Sequence, residues 1–306
     1  MRRVLWAALL LLLGGPACSL KPVPPPAAPG DAHGSPAPAT AEPPRDESGR
    51  SAGSSHGAGG LPCQRRGRVS SGERAYAYCV AQVAGAELKI IEPQGTAPGE
   101  PLRLAIYLHA DGALAHDGDN APRIQAPWTA SHRTLYVSAR APNRCGWWLK
   151  PTVTRCNDDE RDRDGEGVNA GVLARIIEAL RSGWNLDNGP ILYGGSSGGS
   201  VLLTSTFLPR YGDRYPGAFA LGCGGEMPWT GRLEWDGTNP ELRGPTKLFF
   251  TYGDRDDYLA DIRSSIVYYS RLGFPVDEKV VPDAGHCQFD HLGRTVEVWS
   301  RYVGEE

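Results

Sequence analysis

No apolar run in the chain is long enough to cross a bilayer; the most hydrophobic stretch, residues 4–13, is roughly half of what a spanning helix needs. Nor is there a charge excess of either sign: 32 Lys and Arg stand against 35 Asp and Glu, a net of −3. Basic residues cluster only at Arg65-Arg66-Gly67-Arg68, which reads as a solvated turn. The electrostatic footprint of a nucleic-acid-binding protein is therefore missing, and no nucleic-acid partner is expected. Internal repeats are absent as well, which excludes solenoid and propeller architectures.

The short apolar run has a role of another kind. Arg2 and Arg3 precede it and Gly14-Gly15-Pro16-Ala17-Cys18 follows, the layout of an export signal. Its end resembles a bacterial lipoprotein cleavage site, with Cys18 as the lipidated first residue and Gly15 where leucine usually stands. Ser19 after the cysteine suggests outer-membrane sorting in a double-membraned bacterium; without lipidation the protein would be secreted. Residues 1–18 are thus expected to be a signal peptide. Residues 19–60 are dominated by Pro, Ala, Gly and Ser, cannot bury a core, and are expected to form a disordered tether from the membrane. Such a chain spans roughly 35 Å root-mean-square.

Residues 61–306, about 245 residues, suffice for one domain with a sizeable core. Six cysteines remain after Cys18, an even number that in an exported chain implies disulfides. Six cysteines allow fifteen pairings. Proximity suggests Cys63–Cys79 and Cys145–Cys156, leaving Cys223–Cys287, which would brace the loop carrying His286.

Residues 189–200, Gly-Pro-Ile-Leu-Tyr-Gly-Gly-Ser-Ser-Gly-Gly-Ser, carry the clearest chemical signal. An apolar strand, 191–193, runs into a glycine-rich turn, and a helix-compatible segment, 201–208, follows. That is the context of a G-x-S-x-G nucleophile elbow, where a sharp turn exposes a serine hydroxyl at a helix N-terminus. Two registers fit. Gly194 and Gly198 flank Ser196; Gly195 and Gly199 flank Ser197. Ser196 is favoured, because the strand ends more naturally at Gly194.

A nucleophilic serine needs a base and a group that orients the base, in chain order Ser, Asp or Glu, His. The buried strand expected at 247–252 leads into Gly253-Asp254-Arg255-Asp256-Asp257. Asp256 is the chosen carboxylate, with Asp254 and Asp257 as rivals. A helix over 261–272 and a strand over 276–281 then place His286 in the following loop, while His291 lies near the start of the last helix. The oxyanion hole should combine the backbone N–H of Ser197 with that of Ala110 or Asp111, after the strand at 102–108.

These pieces together resemble the α/β-hydrolase superfamily, and more closely the secreted esterases of the polyhydroxybutyrate depolymerase and feruloyl esterase type. The likeness rests on Tyr107-Leu108-His109, Arg144-Cys145-Gly146-Trp147-Trp148, Trp184-Asn185-Leu186-Asp187, Tyr193 through Gly199, Tyr215-Pro216-Gly217-Ala218-Phe219, Gly253-Asp254-Arg255-Asp256 and Gly285-His286. Ala110 departs from the glycine usual after the histidine. The resemblance implies a serine, aspartate and histidine triad that hydrolyses carboxylic esters through an acyl-enzyme, without cofactor or metal. Polysaccharide- or polyester-linked and phenolic esters are among the substrates it suggests; a peptidase on the same fold or a non-catalytic binding protein are the alternatives.

The fold expected is α/β, a mostly parallel twisted sheet with helices on both faces: strands at 74–83, 87–92, 102–108, 134–138, 191–193, 218–221, 247–252 and 276–281, with helices at 168–182, 261–272 and 294–302. The acidic stretch 157–166 begins like a calcium loop, but Leu173 occupies the place of the bidentate glutamate and Arg161 and Arg163 interleave. It is read as a solvated loop before a helix. Trp147, Trp148, Trp229 and Trp235 fall near the catalytic end and are candidates for an aromatic platform or for packing.

Overall fold

The computed structural model describes residues 54–96, 100–156, 160–235 and 240–305. The expected signal peptide, Cys18 and most of the expected tether lie outside these residues. The first strands are β1 (Arg65–Ser71), β2 (Arg74–Val83), β3 (Ala86–Ile91) and β4 (Arg103–Leu108). Helices α1 (Leu114–Asp117) and α2 (Asn120–Ser131) lead to β5 (Thr134–Arg140). Then come α3 (Val168–Gly183), β6 (Ile191–Ser196), α4 (Gly198–Leu202), a π-helical turn (Leu203–Phe207) and α5 (Leu208–Tyr211). The rest is β7 (Gly217–Gly222), α6 (Pro240–Arg243), β8 (Lys247–Gly253), α7 (Leu259–Arg271), β9 (Val276–Val281) and α8 (His291–Glu305).

The nine strands form one sheet in the order β1-β2-β3-β5-β4-β6-β7-β8-β9. The pairs β1–β2, β2–β3 and β3–β5 are antiparallel, and every pair from β5 to β9 is parallel. The chain goes outward from β4 to β5, then returns to β6 on the other side of β4. That reversal splays the loops at the carboxyl ends of β4 and β6 and opens a crevice there, the usual ligand site of open parallel sheets.

Strand alternation builds two cores. On β4, Leu104, Ile106 and Leu108 face one layer while Ala105 and Tyr107 face the other; on β6, Ile191 and Tyr193 oppose Leu192. The first layer holds Leu173, Ile176, Ile177 and Leu180 of α3, Phe207, and Ile262 and Tyr269 of α7. The second holds Ala126 and Trp128 of α2 with Val298, Trp299 and Tyr302 of α8. With both faces covered, β6 and β7 are buried at every residue.

Three sequence expectations change. Arg65-Arg66-Gly67-Arg68 is not a turn but the start of β1: in register with β2, Gly67 sits opposite Tyr78, whose ring lies where a β-carbon would stand. Helices α1 and α2 lie outside the expected ones: α1 is a single four-residue turn, and Pro122 and Pro127 break the usual helical pattern of α2. The boundary at 60/61 is also too late. Ser55 N–H donates to Leu186 O at 2.7 Å, and Gly60 N–H to Gly183 O at 2.8 Å. Residues 54–60 therefore dock on the turn after α3 and belong to the domain.

The structure pairs Cys63 with Cys79, Cys145 with Cys156, and Cys223 with Cys287, at Cα separations of 5.4, 4.9 and 5.1 Å.

Candidate active site

The elbow stands one residue later than the favoured register. Strand β6 does not stop at Gly194; Gly194, Gly195 and Ser196 pair in ladder with Ala220, Leu221 and Gly222. Alternation then points Ser196 into the layer under α8, where it is fully buried. Tyr107 Oη donates to Ser196 Oγ at 2.8 Å, and Ser196 Oγ lies at hydrogen-bond distance, 2.7 Å, from His291 Nδ1. Ser196 is thus closed in on both sides and cannot reach the crevice.

Ser197 is the residue at the sharp turn, with φ 47° and ψ −116°, a backbone conformation costly for a side chain bearing a β-carbon. Its Oγ lies 2.8 Å from His286 Nε2. His286 Nδ1 lies 2.9 Å from Asp256 Oδ1, which also accepts from Tyr258 N–H at 2.9 Å. Asp256 is buried while its rivals Asp254 and Asp257 are exposed. The Asp256 carboxylate requires the His286 proton on Nδ1, leaving Nε2 to accept from Ser197.

Close packing explains the glycines. A β-carbon on Gly195 would lie 2.8 Å from the Ser200 nitrogen, one on Gly199 2.4 Å from the Leu108 carbonyl oxygen, and one on Gly198 2.3 Å from Asp111 Oδ1. The turn and the loop after β4 are in mutual contact, and only glycine fits between them.

The oxyanion donors shift accordingly. Ser197 N–H is committed to Gly222 O at 2.9 Å and cannot serve. The residue after Ser197 is Gly198, at the first position of α4, where an N–H has no partner within the helix. The loop after β4 lies against it. His109 is buried and holds that loop: its Nε2 accepts from Ala141 N–H at 3.0 Å, so Nδ1 donates to Ala110 O at 2.6 Å. Burial pushes its pKa down to about 4, so it stays neutral.

A cavity of about 130 Å³ opens beside Ser197 and His286, walled by Trp148, Arg163, Glu226, Tyr258 and Asp261. Trp148 Nε1 donates to Asp111 Oδ2 at 2.8 Å, and Trp229 Nε1 donates to Glu226. Trp147 is buried in the core, and Trp235 packs edge-on to Phe274. Of the four tryptophans, then, Trp148 lines the cavity, Trp229 backs its wall, and two are packing.

The acidic stretch before α3 is not simply solvated. Asp164 is buried and accepts from Val168 N–H and Asn169 N–H at 3.1 and 2.7 Å, satisfying orphan donors of the first turn. Glu160 and Arg163 line the cavity. The aspartate four residues ahead of the helix was the signal; the arginine and glutamate around it carry no pattern of their own.

No family model and no curated protein matches the chain. Among solved structures it is similar to a thermostable esterase (TM-score 0.52, 15% identity, 79% of this chain and 61% of that one), so it spans about three-fifths of that protein's length. It is also similar to TT1662 from Thermus thermophilus (TM-score 0.50, 18% identity, 74% of this chain and 96% of that one). A carboxylesterase from Mesorhizobium loti aligns over 75% of this chain at 18% identity with a TM-score of 0.49. The sheet order, its reversal at β4 and the layers on both faces, together with the first two likenesses, give the protein the α/β-hydrolase fold.

Proposed function

We propose that the protein is a serine hydrolase acting on carboxylic esters, with Ser197 as nucleophile, His286 as general base and Asp256 as the residue that orients it. One observation carries the reading: Ser197 Oγ, His286 and Asp256 are joined by hydrogen bonds of 2.8 and 2.9 Å at a strained strand-to-helix turn beside a cavity. His286 takes the Ser197 proton as Oγ attacks the carbonyl carbon. The tetrahedral oxyanion forms against Gly198 N–H and an N–H of the Ala110–Asp111 loop. His286 then protonates the departing alcohol, and water repeats the sequence on the acyl-enzyme.

The test is hydrolysis of short-chain 4-nitrophenyl esters by the whole chain, wild type and Ser197→Ala, with amide analogues in parallel. Ester turnover lost in the variant supports the reading. Faster cleavage of amides would move the protein to the peptidases, and a folded, inert wild type would sink the proposal. Export with a lipid on Cys18 belongs to the same proposal; the three cysteine pairs fit an oxidising compartment. Mass spectrometry of the membrane-associated protein would reveal an unmodified Cys18 if that part is wrong.

A further inference from the structure

The cavity beside Ser197 differs from the rest of the molecule in charge. Over the whole chain acids and bases nearly balance, with a net of −3 in 306 residues. Within this one cavity Asp111, Glu160, Glu226 and Asp261 face one guanidinium, Arg163, and the His286 imidazole. Arg163 is already engaged at one end: its guanidinium lies 3.0 Å from Glu160, 3.6 Å from Glu226, and 4.8 Å over the Trp229 ring. Burial, more than any other influence, raises the Glu226 pKa; Trp229 and Arg163 oppose the shift, while Asp261 and Glu160 add to it. By count, the four carboxylates outnumber the cationic group that lines the cavity with them.

Two further features bear on what would enter. Trp148 and Tyr258 line the same cavity, and an aromatic ring attracts a cation over its face. Among the described residues no three acidic or imidazole groups converge as a metal site would require, so the charge is spread along the walls, which suits a diffuse organic cation. At about 130 Å³ the cavity is well below the ~300 Å³ at which drug-sized ligand sites begin, so it encloses one small group.

We infer that this cavity is a cation subsite, and that the preferred substrates are small esters carrying an ammonium group a few bonds from the scissile carbonyl. The inference rests on the esterase reading, and it replaces polymer-linked or phenolic esters as the substrate class. The cation would sit among Glu226, Asp261 and Tyr258 while the carbonyl carbon meets Ser197 Oγ.

Two isosteric pairs test it on the whole chain. On the alcohol side, choline butyrate is compared with 3,3-dimethylbutyl butyrate. On the acyl side, the 4-nitrophenyl ester of 4-(trimethylammonio)butyrate is compared with that of 5,5-dimethylhexanoate. At least one pair should favour the cation tenfold or more in kcat/KM, mainly through KM, and the preference should shrink with added salt. Glu226→Gln and, separately, the more exposed Asp261→Asn should each bring that ratio down severalfold. Equal or faster hydrolysis of both neutral esters would overturn the inference and leave the esterase reading standing. If the folded wild type hydrolyses none of the four, the esterase reading fails instead. Titration with phenyltrimethylammonium, followed by tryptophan fluorescence, then decides the subsite alone: saturable quenching lost in Glu226→Gln upholds it, and no saturation overturns it.

Discussion

Two serines, adjacent in sequence, each hold a histidine at hydrogen-bond distance: Ser196 with His291 at 2.7 Å and Ser197 with His286 at 2.8 Å. Distance alone does not distinguish them. Everything around them does. Ser196 is the last residue of a regular strand, sealed under α8, with Tyr107 as its second partner. Ser197 is in a left-handed turn at a helix N-terminus, open to a cavity, and its histidine is backed by a buried carboxylate. Burial lowers the His291 pKa against the opposing pull of the exposed Asp290 carboxylate. A serine–histidine contact becomes a nucleophile only where the base can carry a proton and a substrate can arrive.

The sharpest way to break this contrast is to delete each hydroxyl. Ser197→Ala should lower kcat by roughly 10⁶-fold with the fold intact. Ser196→Ala should keep measurable turnover but lose on the order of 2 kcal/mol of stability, because Tyr107 Oη and His291 Nδ1 are left unpaired in a dry site. Ester kinetics and urea unfolding on both variants check the pair; a dead but stable Ser196→Ala would reverse the assignment. Next in size, Asp256→Asn should cost about 10⁴-fold in kcat, since the amide no longer fixes the His286 tautomer. His291→Gln, which lies outside the triad, should cost far less in the same assay.

Why the wrong serine looked better is itself a matter of strand geometry. The glycine pattern allowed two registers, and local sequence does not say where a ladder ends. The end of β6 is set by β7, whose Gly222 still pairs with Ser196. Asp256 and His286 were legible because each lies in the loop after a strand, β8 and β9, and the cysteine pairs because Cys63–Cys79 and Cys145–Cys156 are close in sequence, which leaves Cys223–Cys287. Strand β1 was not, since its charged residues, as an edge of the sheet, face water and look like a turn. The acidic wall was invisible for another reason: Glu160, Glu226 and Asp261 come from three separate segments, brought together only by packing.

The buried and open sides should also separate in pH. His109 and His116 are both fully buried, and burial drives their pKa values down to about 4 and about 2. Both stay neutral in the folded protein while the unfolded chain takes up protons below about 6.5. Folded values below unfolded ones mean that stability is fully present above pH ~6.5 and is lost as pH falls. Between pH 7.5 and 4.5 each histidine should remove roughly 3 kcal/mol. Urea midpoints at the two pH values check it, and His109→Gln should flatten part of the slope. A stability independent of pH over this range would contradict the burial of these rings.

The smallest effect isolates the buried side alone. In Tyr107→Phe the ring stays in its core position and only the donor to Ser196 is removed. Ser196 keeps its hydrogen bond with His291, so a single acceptor site goes unfilled, and the loss should be about 1 kcal/mol. Because the turn at Ser197 is held independently by the Ser197 N–H to Gly222 O bond and the contact of Gly198 with Asp111, kcat should change less than about threefold. A drop in kcat as large as that of Asp256→Asn, with stability unchanged, would mean that the sealed serine and the open one are coupled after all, and that the Tyr107–Ser196–His291 chain positions the nucleophile from beneath.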